Sequence, residues 1–146
     1  MIALGADSAG YLLKEQIKKH FDEKGIAYKD FGAYNEESCD YPLMAKQPCE
    51  AVIAAECEFA ILVCGTGIGI SMAANKHKGI RAAVCGDYFS AKFTRLHNDA
   101  NVLCLGGRVI GSGLALELVD IFLTTGFEGG RHARRVGQIH EIENAQ

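Results

Sequence analysis

Short apolar runs alternate along the chain with segments in which apolar residues recur at helical spacing. The apolar runs predict strands at 2–4, 26–31, 59–63, 80–85 and 101–105. The periodic segments predict helices at 11–24, 42–56, 68–77, 88–97 and 112–125, with a last helix beginning near residue 131 and ending near 144. The first helix, for example, is predicted to carry Leu12, Leu13, Ile17 and Phe21 on one face and to stop at Gly25. Pro48 predicts a bend or an interruption in the second helix.

This alternation of strands and helices determines the expected architecture. Parallel neighbours need crossover connections, so five strands that are each followed by a helix form a parallel sheet with helices on both faces. We therefore predict an α/β fold, a three-layer α/β/α sandwich with a five-stranded parallel sheet, made by a single domain over residues 1–146.

The composition narrows the class of partner. The 146 residues are 49% hydrophobic and carry a net charge of -3, which disfavours nucleic acid and anionic membranes as partners. There is no stretch of about 18 apolar residues and no apolar segment typical of a signal peptide. The six cysteines form no C-x-x-C pair, and several lie in strand-like runs, which is typical of reduced thiols in the cytoplasm. No metal-ligand spacing stands out.

Candidate site residues follow from the architecture, because ligands of open α/β sheets bind beyond the carboxyl ends of the strands. The residues at those ends, which we expect to surround one cleft, are Asp7, Ser8, Cys64, Asp87, Gly106, Gly107 and Arg108.

The glycine-rich stretch CGTGIGI, residues 64–70, admits three interpretations. A Walker phosphate loop requires a lysine that is absent here. The dinucleotide fingerprint fits Gly65 and Gly67, but Ile70 replaces its third glycine and the stretch follows the third strand. In the third interpretation Cys64 is a base or nucleophile, and the loop amides stabilise an oxyanion on the ligand. The alternative, which the local sequence by itself favours, is that Cys64 is a small core residue.

Two further clusters carry chemistry at helix ends. His97 lies beside Asn98 at a helix-to-strand turn, where it could transfer protons or simply cap the helix. Arg131 and Arg135 lie with Arg134 on the last helix, and their planar donors suit a shared phosphate, although a solvated basic face is the alternative.

The motifs together resemble the ribose-5-phosphate isomerase type B family, which also contains the galactose-6-phosphate and allose-6-phosphate isomerases. The resemblance is carried by GADSAGYLLK, DFGAY, DYPLMA, CGTGIGISMAANK, GIRAAVCGD, HNDANVLCLGGRVIG and EGGRHARRV. It implies a Rossmann-like sheet, isomerisation of ribose 5-phosphate to ribulose 5-phosphate, and neither a metal nor a nucleotide cofactor.

The resemblance also implies residue roles. Cys64 is the base that moves a proton between C2 and C1, while Thr66 and the amides of Gly65, Gly67 and Gly69 hold the enediolate oxygens. His97 opens the furanose ring with the help of Asp7. The substrate-binding residues that the resemblance implies are Ser8, Tyr41, Asn98, Arg108, Arg131 and Arg135.

The family is dimeric with shared active sites, so the resemblance implies a homodimer in which the helix at about 131–144 packs on the partner; a tetramer is left open. The chain departs from the family at Ser8, where a histidine is usual. A different aldose or hexose 6-phosphate, or binding of a sugar phosphate without turnover, are therefore the alternatives to ribose 5-phosphate.

Overall fold

A computed structural model describes all residues, 1–146, as one α/β unit of five strands and six helices. The elements in chain order are β1 (Ile2–Ala6), α1 (Tyr11–Lys24), β2 (Tyr28–Asp30), α2 (Tyr41–Ile53), β3 (Phe59–Cys64), α3 (Ile68–Ala74), β4 (Ala82–Val84), α4 (Tyr88–Asn98), β5 (Val102–Gly106), α5 (Ser112–Thr124) and α6 (Arg131–Asn144). No helix has the length and apolar character needed to cross a membrane.

The strands form one sheet in the order β2-β1-β3-β5-β4, and every neighbouring pair is parallel. The predicted five-stranded parallel sheet is therefore confirmed. From β1 the chain moves outward to β2, whereas from β3 it moves to the other half of the sheet. The carboxyl ends of β1 and β3 thus form the switch point at which such sheets bind ligands.

The strand β3 shows how the pattern of side chains builds two cores. Phe59, Ile61 and Val63 point to one face and pack with residues of α1 and α5. The alternate residues Ala60, Leu62 and Cys64 point to the other face, in the cluster that includes residues of α2 and α3. Each large side chain buried in this way contributes about 1.5 to 3 kcal/mol to stability.

The two edge strands are shorter than predicted, because pairing with the neighbouring strand supports only part of each apolar run. β2 covers three of the residues in 26–31, and β4 covers three of those in 80–85. Of the two effects predicted for Pro48, a bend or an interruption, the interruption does not occur, since α2 continues past it to Ile53. The proline ring packs against Gly5, where an added Cβ would meet its Cγ at 2.9 Å.

A buried ion cluster joins α1 to the end of β2. Lys14 is fully buried, and its Nζ donates to Oδ1 of Asp30 at 2.7 Å and to the carbonyl of Ala33. Lys18 donates to the other carboxylate oxygen at 2.9 Å, and the amide of Gly32 donates to Oδ1 at 2.8 Å. Burial alone would raise the pKa of Asp30, but these hydrogen bonds outweigh it and lower that pKa.

Candidate active site

Cys64 is the last residue of β3, at the switch point of the sheet. Its side chain is largely buried, with the residue 4% exposed, and the amide N–H of Gly67 donates to Sγ at 3.1 Å. A donor directed at the sulfur stabilises negative charge there. The strand end and the loop that follows it therefore present a thiol together with main-chain donors.

The loop between β3 and α3 requires glycine at position 67. Gly67 has φ +80°, and a Cβ on it would lie 2.8 Å from the carbonyl carbon of Leu105. Next to it, the amide of Ile68 donates to Oγ1 of Thr66 at 3.1 Å. The hydroxyl accepts this bond, so its own proton is available for a ligand oxygen.

Other predicted residues surround this loop. The amide of Asp7 donates to the carbonyl of Val63 at 3.2 Å, which places Asp7 and Ser8 beside the end of β3. The amide of Arg108 donates to the carbonyl of Gly65 at 3.0 Å. The Arg108 guanidinium also lies over that glycine, with Nη1 3.7 Å from where a Cβ would be. The carboxyl edge of the sheet thus brings together the carboxylate of Asp7, the hydroxyl of Ser8, the thiol of Cys64 and the guanidinium of Arg108.

The ring of Tyr41 covers Gly69 in the first turn of α3. A Cβ on Gly69 would lie 2.8 Å from Cζ of that ring. Tyr41 is 41% exposed, so the ring forms part of the outer wall of the same region.

Asp87 at the same edge has a structural role. It caps α4, accepting from the amide of Ser90 at 2.7 Å and from its hydroxyl at 2.8 Å, and these bonds lower the pKa of Asp87.

The remaining predicted residues lie at the opposite edge of the sheet. α4 runs back from the carboxyl end of β4 to the amino end of β5, so His97 and Asn98 are separated from Cys64 by about the length of β5, roughly 15 Å. Arg131 and Arg135 on α6 lie near them, because His132 of that helix stacks on His97 with ring centroids 3.9 Å apart. Within one chain, Asp7 therefore does not contact His97; such a contact requires two chains.

Burial keeps three of the other cysteine thiols neutral. All six cysteines are free. Burial raises the pKa of Cys49 to about 12 and that of Cys85 to about 11, and it also raises the pKa of Cys104. These three thiols are therefore neutral packing residues at physiological pH.

Two side chains to which the sequence analysis gave no role, Glu128 and His132, lie beside His97. Glu128, His97 and His132 bring potential donor atoms within 4.8 Å of one another. Burial lowers the pKa of His132, and the nearby His97 and Arg131 lower it further. The signal in the sequence was the spacing of four residues between Glu128 and His132, which the arginines around them obscured.

A cavity of about 710 Å³ is also at the amino edge. It is lined by Asn98 together with residues from the segment after α3, from β4 and from the end of α6, and it does not include Cys64. The cavity therefore belongs to the same edge as His97 and not to the thiol loop.

The fold and the site together define an α/β protein whose thiol and main-chain donors meet at the switch point of a parallel sheet, an arrangement suited to moving a proton beside a carbonyl. A family model described as Ribose/Galactose Isomerase matches residues 2–139. The chain therefore belongs to the ribose/galactose isomerase family, and the resemblance inferred from its motifs is confirmed.

Individual relatives agree over nearly the full length. The chain is 49% identical over 142 residues to ribose-5-phosphate isomerase B of Escherichia coli, covering 97% of this chain and 95% of that one. It is 41% identical over 142 residues to ribose-5-P isomerase B of Listeria innocua, covering 97% and 96%.

Solved structures give the same result. Ribose-5-phosphate isomerase B of Clostridium thermocellum superposes with a TM-score of 0.97 at 51% identity, covering 99% of this chain and 97% of that one. The Mycoplasma genitalium enzyme, solved with bound ribulose-5-phosphate, superposes with a TM-score of 0.93 at 38% identity, covering 99% and 97%.

Proposed function

We propose that this protein is an aldose-ketose isomerase that interconverts ribose 5-phosphate and ribulose 5-phosphate. The single observation that carries the proposal is the hydrogen bond from the Gly67 amide to Sγ of Cys64, at the switch point of the sheet. Relatives that are 49% and 41% identical carry the same activity in their names.

In this mechanism Cys64 acts as the base. The thiolate takes the proton from C2 of the open-chain aldose, the electron pair forms the C1–C2 double bond of an enediolate, and the carbonyl oxygen O1 takes up negative charge. The proton then returns to C1, the hydroxyl proton of O2 passes to O1, and O2 becomes the ketone oxygen. The Thr66 hydroxyl and the amides of Gly65, Gly67 and Gly69 stabilise the enediolate oxygens, which lowers the barrier directly.

The site is completed by a second copy of the chain. His97, Asn98, Arg131 and Arg135 lie at the edge opposite to Cys64, so they reach the thiol region of a partner and not their own. The carboxyl edge is also unusually apolar for a solvated surface. Large apolar side chains exposed near the thiol loop, on α3, β4, α4 and the turn after β5, are Ile68, Met72, Val84, Tyr88, Phe89 and Val109. Contiguous exposed apolar residues of this kind favour a protein interface.

In this homodimer each residue of the second group has a role. His97 opens the sugar ring beside Asp7 and Ser8 of the other chain. Asn98 and Tyr41 line the sugar-binding site. Arg131 and Arg135 are exposed and bind the phosphate with Arg108. α6, the single domain's last helix, then packs toward the partner. We place the enzyme in the cytoplasm, where its six free thiols remain reduced.

The test is an isomerisation assay on ribose 5-phosphate, allose 6-phosphate, galactose 6-phosphate and the free sugars. We expect the wild type to isomerise ribose 5-phosphate and C64A to lose about 1,000-fold or more in kcat while still binding the substrate by calorimetry. C39A, which removes a partly exposed thiol outside the site, serves as the matched control and retains activity. A wild type that binds these sugars but converts none of them would establish a binding protein instead.

Ser8 favours one second candidate, isomerisation of a larger aldose phosphate. A serine is shorter than the histidine usual in the family and leaves more room beside the loop. The same panel decides between the two, because a preference for a hexose 6-phosphate that reverses to ribose 5-phosphate in S8H would identify the larger sugar as the substrate.

A further inference from the structure

Three polar side chains meet where α4 ends and α6 begins. The rings of His97 and His132 stack with an interplanar angle of 9°. Oε2 of Glu128 lies 3.8 Å from Nε2 of His97 and 3.4 Å from Nε2 of His132. The amide of Glu128 donates to the carbonyl of Leu96 at 3.0 Å, which fixes this residue against the last turn of α4. One carboxylate thus faces the same nitrogen of both imidazoles.

His132 is buried beside the Glu128 carboxylate but does not balance its negative charge. The residue is 5% exposed, and its Nε2 is buried without a hydrogen-bond partner. Burial together with His97 and Arg131 lowers the pKa of His132, so its ring is neutral near pH 7. A neutral His132 does not balance the negative charge of Glu128, and that charge faces Nε2 of His97, whose side chain is 34% exposed.

The arrangement suits a proton better than a metal ion. The two rings are nearly parallel, so their Nε2 lone pairs lie in separate, nearly parallel planes and do not converge on one centre. Arg131 and Arg135 are close enough to lower the pKa of His132, and they would also repel a cation. A shared carboxylate whose charge faces Nε2 of both rings is consistent with all of these contacts.

We propose that Glu128 is a positioning residue for sugar-ring opening, a role that rests on the function proposed above: the negative charge of its carboxylate, 3.8 Å from Nε2 of His97, favours the tautomer that carries the proton on Nε2 and leaves Nδ1 free to accept a proton. In ring opening the anomeric hydroxyl loses its proton to Nδ1, the C1–O1 double bond forms and the C1–O4 bond breaks. The imidazolium then gives that proton to O4, so protons and electrons balance. Meanwhile Glu128 stabilises the imidazolium, as a carboxylate does beside a catalytic histidine.

The first measurement needs no substrate. Ring ¹⁵N shifts of the free, ¹⁵N-labelled protein report which nitrogen of each histidine carries the proton, and H97N and H132N assign the signals. We expect His97 to be protonated on Nε2 in the wild type and in E128D. In E128Q the amide can donate to Nε2, so we expect the preference to move to Nδ1–H. E141Q removes an exposed glutamate from α6 and should match the wild type.

The second measurement is turnover of ribose 5-phosphate. We expect E128Q to lower kcat by about tenfold with KM within about twofold of the wild type, because a positioned acid or base contributes to the ring-opening step and not to binding. E128D should recover part of the loss. An unchanged His97 tautomer in E128Q, or an unchanged rate despite a tautomer change, would overturn the role. A tautomer change in a protein that isomerises no sugar would reject the proposed function while supporting the positioning of His97.

Discussion

The amide of Gly67 and the sulfur of Cys64 form a 3.1 Å hydrogen bond inside a turn that only glycine can make. The hydrogen bond is local, since donor and acceptor are three positions apart in the chain, yet it requires the backbone of Leu105 to approach Gly67 closely. The thiol is therefore positioned by the loop and by β5 together.

Replacing Gly67 tests this coupling. In G67A the new Cβ meets the Leu105 carbonyl carbon at 2.8 Å in a left-handed conformation, so we expect a loss of about 2 to 4 kcal/mol in the free energy of unfolding. Misplacing the amide should also lower kcat by about 100-fold. Urea unfolding and steady-state turnover measure the two effects.

Gly113 provides the matched control for that substitution. It lies in α5, and a Cβ there meets nothing within 4 Å. G113A should leave turnover unchanged and raise stability by about 0.5 to 1 kcal/mol. Equal behaviour of the two alanine variants would contradict the special role of Gly67.

Replacing Gly69 tests the wall of the sugar site. In G69A the methyl group meets the Tyr41 ring at 2.8 Å and displaces it, while the helical backbone itself tolerates alanine. We expect KM for ribose 5-phosphate to rise by about tenfold with little change in the unfolding midpoint. Y41A should show the same rise without a further effect in the double variant. Additive effects in that double variant would show that the two residues act separately.

The alternation of apolar runs predicted the sheet well, because each of its strands follows a local rule. In β3 the period of two sorts Ile61 and Leu62 to opposite faces, and both are fully buried. Strand ends depend instead on pairing with a neighbour, which explains why the edge strands β2 and β4 were predicted too long.

The site was predictable only in part, for a similar reason. The position of Cys64 after an apolar run is visible in the sequence, and so is the requirement for glycine after it. The relation of Glu128 to His97 is not, because it depends on how the segment before α6 docks on the last turn of α4. Glu128 and His97 are 31 positions apart in the chain, so no local sequence pattern indicates that they pack together.

Mixing two inactive variants tests the shared active site. C64A loses the base and H97N loses the ring-opening histidine. If the two groups act across a dimer interface, a mixed dimer contains one site that lacks both groups and one intact site. Statistical mixing after unfolding and refolding should then restore about a quarter of wild-type activity.

The control for this experiment is a mixture of C64A with T66A, whose altered residues lie in the same loop and therefore in the same half of the site. That mixture should remain as inactive as its parents apart from the residual turnover of T66A. Failure of the first mixture to gain activity, despite dimers of the expected mass, would mean that His97 does not serve the partner's thiol.

The ion cluster at the end of β2 makes the stability of the fold depend on pH. Because hydrogen bonds lower the pKa of Asp30 in the folded protein, its ionisation stabilises the fold at a pH above the pKa of the unfolded chain, near 4. This stabilisation disappears as the pH falls through the pKa of the folded state.

In D30N the fully buried Lys14 loses its charged partner, so we expect a loss of about 3 kcal/mol at pH 7. K14M should cost less, because Asp30 keeps Lys18 and the Gly32 amide. Chemical unfolding from pH 7 to pH 3 would show the wild type and D30N converging in stability at the acid end, whereas a constant gap would indicate that the carboxylate contributes through its shape and not through its charge.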